Sequence, residues 1–157
     1  MTTTNYTVWL FGIVVLTVLP AQGQTQRYNK KGLSDGREVQ RGNTTRYYDA
    51  SGALAGRAVK HNETTTFQDA KGAITGRAVE RGDTTTYRNP KGAQAGKAVE
   101  RGDTTNFYDE KGSSAGRAVE RGKTTYYYNR DGSVDGRTMK QGQQPPEEQQ
   151  TAPFPRP

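Results

Sequence analysis

Residues 104–123 read TTNFYDEKGSSAGRAVERGK, and this string decides the fold because it recurs at a fixed spacing. The same pattern fills 24–43, 44–63, 64–83, 84–103, 104–123 and 124–143 without an insertion or deletion. Glycine holds the ninth place of every unit (Gly32, Gly52, Gly72, Gly92, Gly112, Gly132) and the thirteenth (Gly36, Gly56, Gly76, Gly96, Gly116, Gly136). The sixth place is always Asn or Asp: Asn29, Asp49, Asp69, Asn89, Asp109 and Asn129. Asx followed three residues later by glycine predicts a type I turn, with the Asx side chain bonded to the backbone two residues on. Pro90, directly after Asn89, suits the same turn because its φ is already fixed near −65°. A second turn falls at the unit boundary, as in Gly42-Asn43, Asn62-Glu63 and Gly82-Asp83. Two turns in each 20-residue unit leave two short strands, a hairpin pattern.

Strand chemistry agrees. The first strand is rich in Thr and aromatic residues, as in Thr104 to Tyr108, and the second runs Arg-Ala-Val-Glu, as in Arg117 to Glu120. Two glycines and this much Thr per unit argue against a helix. The expected core is the aromatic column Tyr47, Phe67, Tyr87, Phe107 and Tyr127, together with the valine column from Val39 to Val119, which ends in Met139. One aromatic and one Val contribute ~3–6 kcal/mol if fully buried. Ordering a unit costs on the order of 20–40 kcal/mol. A single unit therefore cannot fold alone, and pairing with neighbours must supply the rest. The fold expected is all-β: an elongated antiparallel meander, an array of β-hairpin repeats with about two short strands per 20-residue unit.

Composition narrows function. Only 30% of the 157 residues are hydrophobic and mean hydropathy is −1.02, so a large two-layer core is not available. The chain has no cysteine, which removes disulfides, thiolate metal sites and a cysteine nucleophile. Formal net charge is +7, all of it beyond residue 23, since residues 1–23 carry no charged side chain. Thr7 to Leu19 form an apolar run too short for a permanent span and suited to a signal-peptide core. Pro20 and the small residues near Gly23 predict a signal peptide over 1–23, cleavage after Gly23, and an exported, periplasmic or secreted product of bacterial type. The organisation expected is a signal peptide (1–23), six tandem repeats (24–143) and a disordered Pro/Gln-rich tail (144–157) that holds five of the seven prolines.

The string Thr44-Thr45-Arg46-Tyr47-Tyr48-Asp49-Ala50-Ser51-Gly52, followed by Gly56-Arg57, resembles the YD repeats of bacterial Rhs-type surface and toxin proteins. It is closer still to short exported proteobacterial proteins made of TTxYYDxxGxxxGR units, a resemblance that covers 24–143 and implies no activity. Ala or Ser follows the turn glycine in five units, where YD repeats carry other residues, and the chain is too short for the enclosing shell of Rhs proteins. The spacing is also similar to choline- and glucan-binding repeats, but those rely on Trp, and the sole Trp here is Trp9.

No catalytic constellation stands out, and a non-enzymatic protein without cofactor or metal is expected. His61 sits where other units carry Arg, and reads as a solvated turn neighbour. Glu80, Glu100 and Glu120 form one column, for which cross-strand pairing with Arg81, Arg101 and Arg121 or their neighbours is the simplest role. The acidic residues match neither calcium-loop pattern. Arg81-Gly82-Asp83 and Arg101-Gly102-Asp103 spell RGD, but the same turn reads Arg41-Gly42-Asn43 elsewhere, so turn chemistry accounts for the triplet. Asn43 and Asn62 fit glycosylation acceptors, relevant only to a eukaryotic secretory route.

The basic column is the candidate site. Arg37, Arg57, Arg77, Lys97, Arg117 and Arg137 hold one place in every unit, and in an extended array would lie about 10 Å apart. Such a row suits an anionic polymer: a polysaccharide or envelope surface first, a nucleic acid less well, with Tyr48, Tyr108 and Tyr128 placed to stack on sugars or bases. The expected role is a binding or adhesive module. The alternative is a structural protein that self-associates edge to edge into fibres or layers.

Overall fold

The structure is a computed structural model that describes residues 22–141. The expected signal segment and Pro/Gln-rich tail lie almost wholly outside the described residues. Each unit forms one hairpin. The first strands are β1 (Gln22–Asn29), β3 (Thr44–Tyr48), β5 (Thr64–Asp69), β7 (Thr84–Arg88), β9 (Thr104–Asp109) and β11 (Thr124–Asn129). The second strands are β2 (Ser34–Arg41), β4 (Leu54–His61), β6 (Ile74–Arg81), β8 (Gln94–Arg101), β10 (Ser114–Arg121) and β12 (Val134–Gln141).

Both turns behave as their residues dictate. Asn29 Oδ1 accepts hydrogen bonds from the amides of Lys31 (2.9 Å) and Leu33 (3.1 Å), while the Gly32 amide donates to the Asn29 carbonyl. Asp69 repeats this geometry toward Lys71 and Ala73. At the unit boundary a two-residue turn places Gly42 at φ 55°. Asn62 takes the same left-handed conformation, at φ 52°, because a short polar side chain tolerates it.

The array is not open. Consecutive strands pair antiparallel, and β1 then pairs with β12, so the sheet closes into a barrel of twelve strands. This corrects the expectation of an elongated meander. The reason lies in the register. Along β3, Arg37 opposes Tyr48 from one side and Arg57 opposes Arg46 from the other, so each unit steps the pairing by two residues. That regular stagger tilts the strands, and a tilted, twisted sheet curls. After the sixth unit Arg137 meets Tyr28 in the register that joins Arg37 to Tyr48. Every unit docks on the next alike, the last on the first, and no described strand is left with a free edge.

A bulge in each second strand precedes its thirteenth-place glycine; on β10 the pairing jumps from Ser114 to Gly116 and leaves Ala115 out. The glycine is required by close approach. A Cβ on Gly76 would stand 2.8 Å from the Arg88 carbonyl oxygen, and one on Gly136 would stand 2.7 Å from that of Tyr28.

Inside, the rings from Phe67 to Tyr127 are flanked by small residues, while Tyr47 has Gly56 on one side and Glu38 on the other. Phe67 lies between Gly76 on β6 and Ala58 on β4, and the pattern repeats around the barrel. Tyr47, Phe67, Tyr87 and Phe107 are buried with Ala58, Ala78, Ala98 and Ala118. Thr65, Thr105 and Thr125 are buried one step along the same strands. The valine column is therefore not core, contrary to expectation. Val59 lies opposite Thr44 and Thr66 on the outer side, half-buried. The two-residue turn sets this: it pairs Arg81 with Thr84, which brings Ala78, not Val79, opposite the Tyr87 ring.

Candidate functional site

Alternation along the strands divides the charges. Outward on the second strands stand Arg37, Arg57, Arg77, Lys97, Arg117 and Arg137. One pleat beyond the valines stand Arg41, Arg81, Arg101 and Arg121, with exposed His61 in the same column. Arg46 and Arg88 add outward cations from β3 and β7. Among the described residues, Asp and Glu sit in the turns, in the bulges or on the inward side; none occupies an outward strand position on the wall. The expected straight row is thus a belt around a closed barrel. Its cations point in different directions, and a straight ligand meets only a few at once.

The tyrosines do not stand free to stack. The Arg37 guanidinium lies 4.9 Å from the Tyr48 ring centre, Lys97 Nζ 5.2 Å from Tyr108, Arg117 5.2 Å from Tyr128 and Arg137 4.9 Å from Tyr28. Each ring cushions a cation and fixes its place on the wall. The repeat departs from this at β5 and β7, where Gln68 and Arg88 take the place of Tyr. Arg57 donates from Nε to Gln68 Oε1, and Arg77 directly opposes Arg88.

The inward side has its own chemistry. At the mouth formed by the boundary turns, Lys60 pairs with Glu80 (2.7 Å) and Lys140 with Glu120 (2.6 Å). The partners are lysines of neighbouring units; Arg81, Arg101 and Arg121 adjoin these glutamates in sequence but point to the other face. Glu100 keeps no such lysine. Burial, together with Glu80, Asp83 and Glu120, raises its pKa above the usual range. A cleft at this mouth is lined by Glu100, Asp103, Thr105, Glu120 and Thr125. Among the described residues no group of three His, Asp or Glu side chains gathers to hold a metal. The two RGD triplets lie at the same mouth, on exposed turns whose Asp83 and Asp103 carbonyls accept from the amides of Glu100 and Glu120.

Sequence reasoning missed one feature. In the first unit Arg27 takes the aromatic place and Glu38 the alanine place, so two charged side chains enter the barrel interior beside the closing strands. Arg27 Nη2 donates to the carbonyls of Asp35 and Tyr48, each at 3.3 Å. Burial lifts the Glu38 pKa from 4.5 to about 7, against the lowering pull of Arg27. Burial also raises the Tyr127 phenol to about 12, although its hydrogen bond with Thr138 opposes the shift. Tyr47 and Tyr87 are driven higher, first by burial and then by Glu38 beside Tyr47 and by Glu80 and Glu100 beside Tyr87. The signal was available: Arg27 and Glu38 are the first unit's departures from otherwise aromatic and small-residue columns.

Fold and site define a closed barrel of hairpin repeats with a cationic wall and a polar seam. No protein-family model matches the chain, and no curated protein sequence does. Among solved structures it is similar to an X-ray structure of an Arabidopsis thaliana protein. The TM-score is 0.52 and identity 10%, over 76% of this chain and 80% of that one. At that identity the likeness concerns the fold alone.

Proposed function

We propose that this protein is an exported, non-catalytic binding module that holds anionic polymers against the outer wall of its barrel. One observation carries the reading: every unit sets at least one cation outward on its strands, and among the described residues the carboxylates are kept to turns, bulges and interior. A wall of one sign attracts a polyanion at long range and gains on contact by releasing the polymer's counterions. Tyr-cushioned cations start from a fixed place, so less freedom is lost on binding. The apolar segment Thr7 to Leu19 supports export. No helix of the described residues is long and apolar enough to cross a membrane. An Arg or Lys from every unit interrupts the wall, unlike the continuous apolar band that a membrane barrel presents to lipid.

Edge-to-edge assembly into fibres or layers loses its main support, since pairing between β1 and β12 removes the edges it would use. The test is retention of the processed chain on immobilised anionic polysaccharide across a salt gradient. Retention that falls steeply with salt, and falls further when Arg37, Arg117 and Arg137 become Gln, is the expected result. A chain that passes through unretained at low salt overturns the reading.

A further inference from the structure

The belt is not uniform, and its irregularity marks a site. On most of the wall each belt cation rests on a tyrosine ring of the next strand: Arg37 on Tyr48, Lys97 on Tyr108, Arg117 on Tyr128, Arg137 on Tyr28. Between β3 and β7 the pattern is replaced by facing cations. Arg46 on β3 is the direct cross-strand partner of Arg57 on β4. Arg77 on β6 is the direct partner of Arg88 on β7. Like charges directly opposite each other on a sheet destabilise it. Among the described residues no carboxylate on the wall relieves them, and the side chains of Arg46 and Arg77 have no hydrogen bond or ion pair, while Arg57 Nε donates to Gln68 Oε1 and Arg88 Nη1 to the Gly92 carbonyl, leaving the rest of each fork open. A local conflict of this kind, inside an otherwise self-consistent repeat, is expected where a sequence serves a ligand.

We propose that this arc is the primary binding site of the wall, and that each facing arginine pair clasps one sulfate or phosphate ester of a polysaccharide. The inference rests on the polyanion reading above and names its ligand. Opposed residues have Cβ atoms ~5 Å apart, so two guanidinium forks reach a single tetrahedral oxyanion and donate to it jointly. The two pairs are separated by three strand spacings, roughly 14 Å along the wall. Between them β5 presents the Thr66 hydroxyl and the Gln68 amide NH2, neutral groups suited to sugar hydroxyls, while Gln68 Oε1 is held by Arg57. The arc supplies no free stacking ring for a nucleic-acid base, since Gln68 and Arg88 stand in the tyrosine column and the Tyr48 ring already carries Arg37.

The experiment compares full-length protein with two charge-matched variants, Arg46→Gln with Arg88→Gln and Arg117→Gln with Arg137→Gln. Affinity is measured for dextran sulfate, a phosphorylated mannan, polygalacturonate and duplex DNA. Both variants lose two positive charges, so a uniform belt weakens them equally. The arc variant is expected to bind sulfated or phosphorylated polysaccharide at least ~10-fold more weakly than the other variant. It is also expected to melt no lower than the parent, because a repulsion has been removed. The dextran sulfate and mannan arms separate sulfate from phosphate esters. Equal losses overturn the arc while leaving the wall intact as a binding surface. Failure of the parent to bind any of the polyanions overturns both readings. Tighter binding of DNA or polygalacturonate through the same arc overturns the choice of ligand.

Discussion

Arg27 and Glu38 share the interior of the first hairpin, and burial outweighs the arginine's attraction in setting the state of the carboxyl. The folded protein therefore holds a proton on Glu38 more tightly than the unfolded chain does. The stability this contributes is fully present below about pH 4.5 and is lost as pH rises through about 7. Its size is on the order of 3 kcal/mol. Glu100, shifted the same way, adds in the same direction. Thermal midpoints should thus fall between about pH 5 and about pH 8, and Glu38→Gln should flatten that fall. A variant with the parent's pH dependence would show that Glu38 is solvated in the folded state.

The same pair predicts a stabilised variant. Elsewhere the ring position is filled by Tyr or Phe and its small partner by Ala or Thr. Arg27 and Glu38 interact only through their charges, and replacing interior charged groups with well-packed apolar ones is neutral or stabilising by about 1–4 kcal/mol, whereas removing one strands the other. Arg27→Phe with Glu38→Ala should raise stability in urea unfolding, and Arg27→Phe alone should lower it. If the single change stabilises as much as the double, the two charges are not coupled.

Tyr87 offers a quieter case. Tyr87 is 6% exposed and its hydroxyl has no hydrogen-bonding partner among the described residues. An unpaired buried hydroxyl costs about 1–3 kcal/mol. Phe67 and Phe107 already stand in the same column, so the ring position accepts the substitution. Tyr87→Phe should leave stability unchanged or raise it by about 1 kcal/mol. A loss above about 1 kcal/mol would mean that the hydroxyl serves a contact in solution. Tyr127→Phe should behave differently, because that hydroxyl lies 3.4 Å from Thr138 Oγ1.

Much of this was legible in the sequence. The turn columns located the hairpins, since Asx and Gly at fixed places leave few backbone options. The all-β class followed from Thr, Tyr and Val between those turns. The core was half legible. Phe67 and its equivalents were correctly placed inside, but their partners were taken to be valines. Counting back from Arg81 and Thr84 across the two-residue turn would have put Ala78 opposite Tyr87. Closure was harder, because it depends on a small register step summed over all the units, and no single residue states that sum. Its trace is the pair of polar departures at the seam, Arg27 on β1 and Thr138 on β12, which are direct cross-strand partners. Charge division by face required the pleat, the bulge and the turn together. A column of arginines could be read from spacing; the absence of outward carboxylates around it could not.

Closure itself yields the sharpest test. Gln26 on β1 and Met139 on β12 are direct partners across the seam, and both lie on the outer side. In an open array of the same hairpins they would be roughly 50 Å apart, eleven strand spacings from end to end. The chain contains no cysteine, so an introduced pair has no competitor. Gln26→Cys with Met139→Cys should oxidise to an intramolecular disulfide in a monomer, seen as faster migration on a non-reducing gel. Because the bridge closes a loop of more than a hundred residues, it should also stabilise by about 4–5 kcal/mol if its geometry is unstrained. Gln26→Cys with Val79→Cys is the control: β6 is distant from β1 around the barrel, and no internal bridge should form. Cross-linking of the seam pair only between molecules would mean that the sixth unit does not return to the first, and the belt would then be a row.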